Sequence, residues 1–290
     1  MKILVLGGTR FFGVHMVNAL IKNGHDVTIA TRGLTKDNFG EKVDRIIIER
    51  TSSDSMAKAF GSKHYDVVCD NLAYCSNDVK YLLDNIECNR YVMTSSASVY
   101  DNLHMGITES EYDPYTYGLK WCSRNDYIYP EIKRQAECAL FRAYPHVQAV
   151  AVRFPYVIGQ DDYTERLYFY VNSIVNGIPM NINGLDEQIP FVKSSEAGQF
   201  IAWIAERDFT GPINGNNVGT ITLHEIIDYV ERKTNKKAIY SLEGAEGPYN
   251  GVESFDLDTK YAKDSGHRFT ELDEWIYKLM DCYIQKSGQA

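Results

Sequence analysis

No apolar run in this chain of 290 residues approaches the ~20 needed to span a bilayer. Positive charge is in deficit: 30 Lys and Arg stand against 39 Asp and Glu, a net charge of −9, so the basic footprint of a nucleic-acid binder is missing. The six cysteines (Cys69, Cys75, Cys88, Cys122, Cys138 and Cys282) contain no CxxC pair, and with the seven scattered histidines they form no cluster of zinc spacing. No metal site is expected, and the thiols are read as reduced. Internal repeats and low-complexity linkers are absent. The sequence opens directly on the strand MKILVLGG, which gives the expectation of no signal peptide and of a cytoplasmic protein without membrane contact.

What is present is 44% hydrophobic residues, enough for one large core or a core plus a smaller lobe. The first half alternates strand and helix signals, the pattern of a parallel sheet covered on both faces. Strands are expected at Lys2–Leu6, Val27–Thr31, Arg45–Ile48, Asp66–Cys69, Arg90–Thr94 and Ala149–Phe154. Phe12–Lys22 has the spacing of a helix with one buried side, and Gly24 stops it. After about Gly159 the pattern changes to helices at Tyr163–Val175, Leu223–Thr234 and Leu272–Gln285, with short strands near Gln188–Val192 and Ala238–Ser241. The fold class is therefore α/β: a Rossmann-type doubly wound parallel sheet over residues 1–160, with a smaller α+β substrate lobe over 161–290. Segments near 186–218 are expected to return to the first domain.

The first strand runs into Gly7-Gly8-Thr9-Arg10-Phe11-Phe12-Gly13 and then a helix. Gly7 permits a tight turn and Gly13 lets helix and strand approach. The free N–H groups of the first helical turn then favour a pyrophosphate. A strand before and a helix after make this glycine turn a specific sign of a dinucleotide, NAD(P), with Thr9, Arg10, Phe11 and Phe12 along it. The second strand ends Ala30-Thr31-Arg32-Gly33, without the carboxylate that binds an adenosine ribose. Arg10 and Arg32 suit an extra phosphate, so NADP(H) is expected over NAD(H). The alternative is that both arginines are plain surface charges.

The fifth strand ends Thr94-Ser95-Ser96, small hydroxylated residues at the edge where ligands of such sheets bind. Further on comes Tyr129-Pro130-Glu131-Ile132-Lys133. Pro130 suits a first helical turn, which puts Tyr129 and Lys133 on one helix face. A lysine cation near a phenol is expected to lower its pKa toward working pH. Such a tyrosine exchanges a proton with a substrate oxygen while hydride moves, and Ser96 hydrogen-bonds the same oxygen. With 21 tyrosines present, roughly one chance Tyr-x-x-x-Lys spacing is expected. A second does occur, at Tyr229 and Lys233, outside the alternating half. Tyr112, Tyr115, Tyr117, Trp121 and Tyr127 crowd the segment before the tyrosine helix; they either cap the site or pin a long loop.

Taken together, GGTRFFG, SSASVY, YPEIKRQAE, Asp66–Ala73, Val152–Gly159 and Pro190–Ala197 resemble the short-chain dehydrogenase/reductase superfamily, in its extended branch, the NAD-dependent epimerase/dehydratase family. The resemblance implies Ser96, Tyr129 and Lys133 as the catalytic triad and Leu72, Ala73 and Tyr74 as a cofactor-lining turn. It places Thr94, Phe154 and Pro155 beside the cofactor, and Tyr156 between nicotinamide and substrate. Glu49 falls near a position that touches adenine. Arg166, after the sixth strand, either meets a substrate phosphate or pairs with Asp161 or Asp162. Ala97-Ser98 stands where the family's 4,6-dehydratases carry an Asp-Glu pair, which argues against that dehydration. Arg10 with Thr31-Arg32 resembles the atypical subgroup, which includes chloroplast stem-loop RNA-binding relatives.

The resemblance implies an oxidoreductase or epimerase acting on a nucleotide sugar, with a homodimer as a family-level expectation. The alternative is a non-catalytic or RNA-binding member that keeps the fold for binding or sensing.

Overall fold

A computed structural model of the chain describes residues 1–61 and 63–288. Residues 289 and 290 of the expected second lobe lie outside the described residues. The chain runs β1 (Lys2–Leu6), α1 (Phe12–Lys22), β2 (Asp26–Thr31), β3 (Val43–Ile47), α2 (Ser53–Phe60), β4 (Lys63–Asp70), α3 (Ser76–Leu83), β5 (Ile86–Ser96), α4 (Tyr129–Cys138) and β6 (Gln148–Phe154). Then come β7 (Tyr156–Ile158), α5 (Arg166–Asn176), β8 (Met180–Asn181), β9 (Ile189–Lys193), α6 (Ser194–Ala205), β10 (Gly211–Asn214), β11 (Thr220–Ile221), α7 (Leu223–Thr234), β12 (Ala245–Glu246), α8 (Lys260–Asp264) and α9 (Ile276–Gly288).

Seven strands form one parallel sheet in the order β10-β6-β5-β4-β1-β2-β3. Alternation along β1 shows why both faces are covered. Ile3 and Val5 join a core with α1 and α6, while Leu4 and Leu6 join a second core with α2, α3 and α4. Leu20, on the buried side of α1, is fully enclosed, and truncating it to alanine costs about 2–5 kcal/mol. A third apolar cluster, with Tyr170, Ile174, Phe191, Ile226 and Met280, gathers around α5, α7 and α9.

Strand order reverses between β1 and β4, so the crevice outside their carboxyl ends is the switch point where open α/β sheets bind ligands. After β9, α6 packs so closely on α1 that a Cβ on Gly198 would lie 2.6 Å from the Met16 amide nitrogen, and β10 extends the main sheet beside β6.

Several elements differ from the sequence expectation. The helix expected from Tyr163 starts at Arg166, because Asp162 accepts the Thr164 amide (2.9 Å) and hydroxyl (2.6 Å) and holds a turn there. The last helix starts at Ile276, preceded by a short 3-10 turn. The strand near 238–241 reduces to one bridge between Tyr240 and Met180, and the paired segment is β12 instead. No helix among the described residues is long and apolar enough to cross a membrane.

Candidate active site

Two contiguous cavities line the carboxyl edge of the sheet. One, about 660 Å³, lies over the glycine turn and the ends of β1, β2 and β3. The other, about 610 Å³, lies over the ends of β5 and β6 and reaches the second lobe. They share Phe11, Phe12, Asn71, Tyr74 and Tyr163, so together they form one elongated cleft.

The first cavity gathers Gly7, Thr9, Arg10, Phe11, Phe12, Gly13, Arg32, Leu72 and Tyr74. Gly7 and Gly8 both have φ +92°, a conformation that side chains rarely adopt. A Cβ on Gly13 would sit 2.9 Å from the Gly8 Cα, so helix and strand approach only because both positions are glycine. Phe11 adopts φ 53°, ψ −143° at the start of α1, a strained backbone held where the turn meets the helix. No side chain caps α1 and its first turn holds no carboxylate. Its positive dipole end therefore faces the cavity without an internal anion, as a dinucleotide pyrophosphate requires.

At the far end, Arg32 is exposed, and the Arg10 Nε donates to the Thr35 hydroxyl (3.0 Å). Glu49 lies in the same cavity. Its carboxylate accepts the Thr51 hydroxyl (2.8 Å), and these Thr51 hydrogen bonds, with the charges of Arg32 and Arg124, hold it below the usual range.

The second cavity gathers Thr94, Ser96, Tyr129, Lys133, Phe154, Pro155, Tyr156 and Arg166. Tyr129 opens α4, with Pro130 in the first turn, and its ring meets Tyr74 edge-on at 6.3 Å. Burial among the cleft walls raises the Tyr129 phenol above its ordinary value, against the pull of the neighbouring Ser96 hydroxyl and the Arg166 charge. The lysine expected to lower it does not do so. Lys133 is buried, its ammonium donates to the carbonyls of Ala73 (2.8 Å) and Thr94 (2.7 Å), and burial depresses it to about 8. Ala73 thus enters through its carbonyl and lines neither cavity.

Arg166 pairs with neither Asp161 nor Asp162. Asp161 accepts from His15 (2.9 Å) and Ser194 (2.6 Å), and Asp162 holds Thr164. None of the crowded aromatics lines either cavity; Trp121 and Tyr127 are exposed, and the other three pin the long loop. The Tyr112 hydroxyl donates to the Arg134 carbonyl (2.9 Å), the Tyr117 hydroxyl to Glu131 (2.8 Å), and Tyr115 lies against Phe141 (4.9 Å). Tyr229 donates to Asp281 (2.8 Å) on α9 and lines neither cavity.

Four features escaped the sequence reading. Gly8 is the tightest glycine of the turn, where a Cβ would lie 2.8 Å from Val17 Cγ2. Asn71, just after β4, lines both cavities, accepts the Thr94 hydroxyl (2.7 Å) and has a buried amide nitrogen with no partner. Arg124, from the loop before α4, lies over Tyr74 (4.6 Å) and donates to Asp78 (3.0 Å) and the Leu72 carbonyl (2.8 Å). Beneath the switch point, buried Arg50 donates to Asp70 (2.6 Å), which also accepts the Tyr91 hydroxyl (2.6 Å) and the Leu72 amide (2.7 Å).

With this geometry in place, residues 3–219 match the model of the NAD dependent epimerase/dehydratase family. The chain belongs to this family. Among its relatives, the chloroplast stem-loop binding protein of 41 kDa b of Arabidopsis thaliana is 29% identical over 159 residues, 44% of this chain and 42% of that protein's own length. UDP-glucuronic acid decarboxylase 6 of the same plant is 28% identical over 261 residues, 80% of this chain and 74% of that one. The crystal structure of UDP-glucuronic acid 4-epimerase from Bacillus cereus, in complex with UDP-glucuronic acid and NAD, superposes with a TM-score of 0.75 at 17% identity, covering 99% of both chains. That likeness shows the shared fold.

Proposed function

We propose that this family member is an NAD(P)-dependent enzyme that moves hydride to or from a hydroxyl-bearing carbon of a nucleotide sugar, as an epimerase or a reductase. The observation that carries the reading is the single cleft in which a glycine turn built for a pyrophosphate continues into Ser96, Tyr129 and Lys133. A nicotinamide bound there would supply the hydride acceptor and donor. Gly7 to Gly13 hold the pyrophosphate at the start of α1, and Leu72 and Tyr74 line the opposite wall. Tyr129 takes the proton from the substrate hydroxyl during oxidation and gives it back during reduction. Ser96 hydrogen-bonds the same oxygen and fixes its direction.

The Lys133 ammonium, anchored on two carbonyls, ties α4 to the ends of β4 and β5 and lines the same cavity as Tyr129. The raised phenol favours the neutral form that returns a proton, and the Ser96 hydroxyl and the Arg166 charge support the charged form that takes one. Arg10 and Arg32 favour NADP(H) over NAD(H) through the charge of the extra phosphate. The names of the relatives, among them a UDP-glucuronic acid decarboxylase and a UDP-glucuronic acid 4-epimerase, support the substrate class.

The test is Tyr129→Phe, assayed for turnover on nucleotide sugars and for cofactor binding. Turnover should fall by roughly 10²–10⁴, the usual worth of a positioned acid–base group, with cofactor affinity nearly unchanged. Undiminished turnover would remove Tyr129 from the mechanism.

A second reading, RNA binding, has one observation in its favour: the match to a protein named for stem-loop binding. It requires an affinity for RNA that falls steeply with salt, because phosphate contacts release counterions. The net charge of −9 opposes it.

A further inference from the structure

Arg166 occupies a place that does nothing for the helix it begins. It opens α5, where a positive charge works against the helix dipole, and no acidic residue in that first turn offsets it. The residue before it, Glu165, is held in the left-handed region (φ 53°, ψ 23°), and its carboxylate turns outward to Lys286 (2.7 Å). With Asp161 and Asp162 also engaged elsewhere, none of the three nearby acids takes the guanidinium. Among the described residues, the Arg166 Nε donates to the Thr164 hydroxyl (3.0 Å), one terminal nitrogen makes a long contact to the Val157 carbonyl (3.4 Å), and the other has no protein partner.

The guanidinium lies over the Tyr156 ring at 5.2 Å, so its N–H edge is left for a ligand. It lines the catalytic cavity together with Ser98, whose buried hydroxyl oxygen has no hydrogen-bond partner. Its charge also reaches the hydroxyls of Tyr129 and Tyr156. The cation therefore lines the same cavity as the atom proposed to exchange protons with substrate.

We propose that Arg166 is the specificity-determining residue of this cleft and that, with the Ser98 hydroxyl, it reads a carboxylate on the reacting ring, making the substrate a nucleotide-linked sugar acid. This rests on the nucleotide-sugar reading above. A planar guanidinium edge matches a carboxylate through two parallel hydrogen bonds. The same chemistry fits the diphosphate of a nucleotide sugar. Arg166 lines the cavity of Ser96 and Tyr129 and not that of the glycine turn, which favours the ring carboxylate, because the diphosphate is attached through the anomeric oxygen and lies farther from the carbon that Tyr129 serves.

The experiment is equilibrium binding of UDP, UDP-glucose and UDP-glucuronic acid to the full chain with saturating cofactor, for the unaltered protein, Arg166→Gln and Arg166→Lys. The unaltered protein should bind UDP-glucuronic acid at least about tenfold more tightly than UDP-glucose. Arg166→Gln should erase that preference by weakening UDP-glucuronic acid roughly ten- to a hundredfold, the worth of one charge-assisted pair, while UDP and UDP-glucose stay within about threefold. Arg166→Lys, which keeps the charge and loses the planar fork, should recover only part. Equal weakening of all three ligands would assign the guanidinium to the diphosphate and overturn the proposal. Equal affinity of the unaltered protein for both sugars would overturn it too, and decides the matter alone if the variants do not fold. Failure of all three to bind the folded, cofactor-loaded protein would instead remove the nucleotide-sugar reading, and the proposal with it.

Discussion

Asp70 ends β4 at the switch point, and its carboxylate is fully buried. One oxygen accepts both Arg50 (2.6 Å) and the Tyr91 hydroxyl (2.6 Å), and the other accepts the Leu72 amide (2.7 Å). Arg50 is buried as well, and two of its guanidinium nitrogens have no partner, so among the described residues Asp70 is its one ion-pair partner. Asp70→Asn keeps the size and removes the charge. Breaking a buried pair from one side leaves an uncompensated ion, which costs about 3–5 kcal/mol. For a chain of this size each kcal/mol lowers Tm by about 2–4 °C, so a fall on the order of 10 °C is expected.

Urea unfolding followed by circular dichroism should show a lower midpoint at an unchanged slope. Adding Arg50→Met to Asp70→Asn should restore much of the loss, because the stranded cation is gone. A loss below about 1 kcal/mol in the single variant, or no recovery in the double, would refute the account of this pair. Because the Leu72 amide leans on the same carboxylate, the single variant should also weaken dinucleotide binding.

Gly13→Ala gains up to ~1 kcal/mol of helix propensity, but its Cβ would meet the Gly8 Cα at 2.9 Å, so a net loss of about 1–2 kcal/mol and at least tenfold weaker dinucleotide binding should appear in melts with and without cofactor. Lys133, depressed to about 8 by burial, should lose its proton as pH rises through that value. The anionic dinucleotide prefers the charged form, so its affinity should be level below pH 8 and weaken above it, a dependence that Lys133→Met should abolish in a titration series. Replacing Arg10 and Arg32 together with alanine should weaken NADP(H) about tenfold or more and leave NAD(H) within about threefold; equal losses would contradict the preference. Tyr229→Phe, which breaks only the contact with Asp281, should leave turnover unchanged in the same assay that Tyr129→Phe abolishes.

The parts of the molecule readable from sequence are those with strong local patterning. Lys2–Leu6 and Phe12–Lys22 form as expected, because an unbroken apolar run and a one-sided spacing each admit one buried arrangement. The Tyr129 helix follows from Pro130 in its first turn. Short helices such as Ser53–Phe60 and Ser76–Leu83 carry little local signal, since each buries only a few residues of a mostly polar stretch.

The residues that line the cleft were legible as types and order, and their electrostatics less so. That Lys133 would turn to the carbonyls of Ala73 and Thr94 rather than act on Tyr129 depends on the relative height of α4, β4 and β5. Arg124 reaches Leu72 and Asp78 from 52 and 46 residues away, and nothing local in the loop marks it. Ser98 could be noticed only as the residue standing in place of a carboxylate, and its unpartnered hydroxyl is visible only in three dimensions.

The central claim is that the glycine turn and the Ser96–Tyr129–Lys133 cavity form one dinucleotide cleft. Its most direct test is titration of the folded protein with NADPH and NADH, followed by nicotinamide fluorescence. The account predicts saturable binding of a single equivalent, tighter for NADPH, that Gly13→Ala weakens and Tyr129→Phe leaves nearly intact. Absence of binding for both cofactors, in protein shown to be folded, would contradict it.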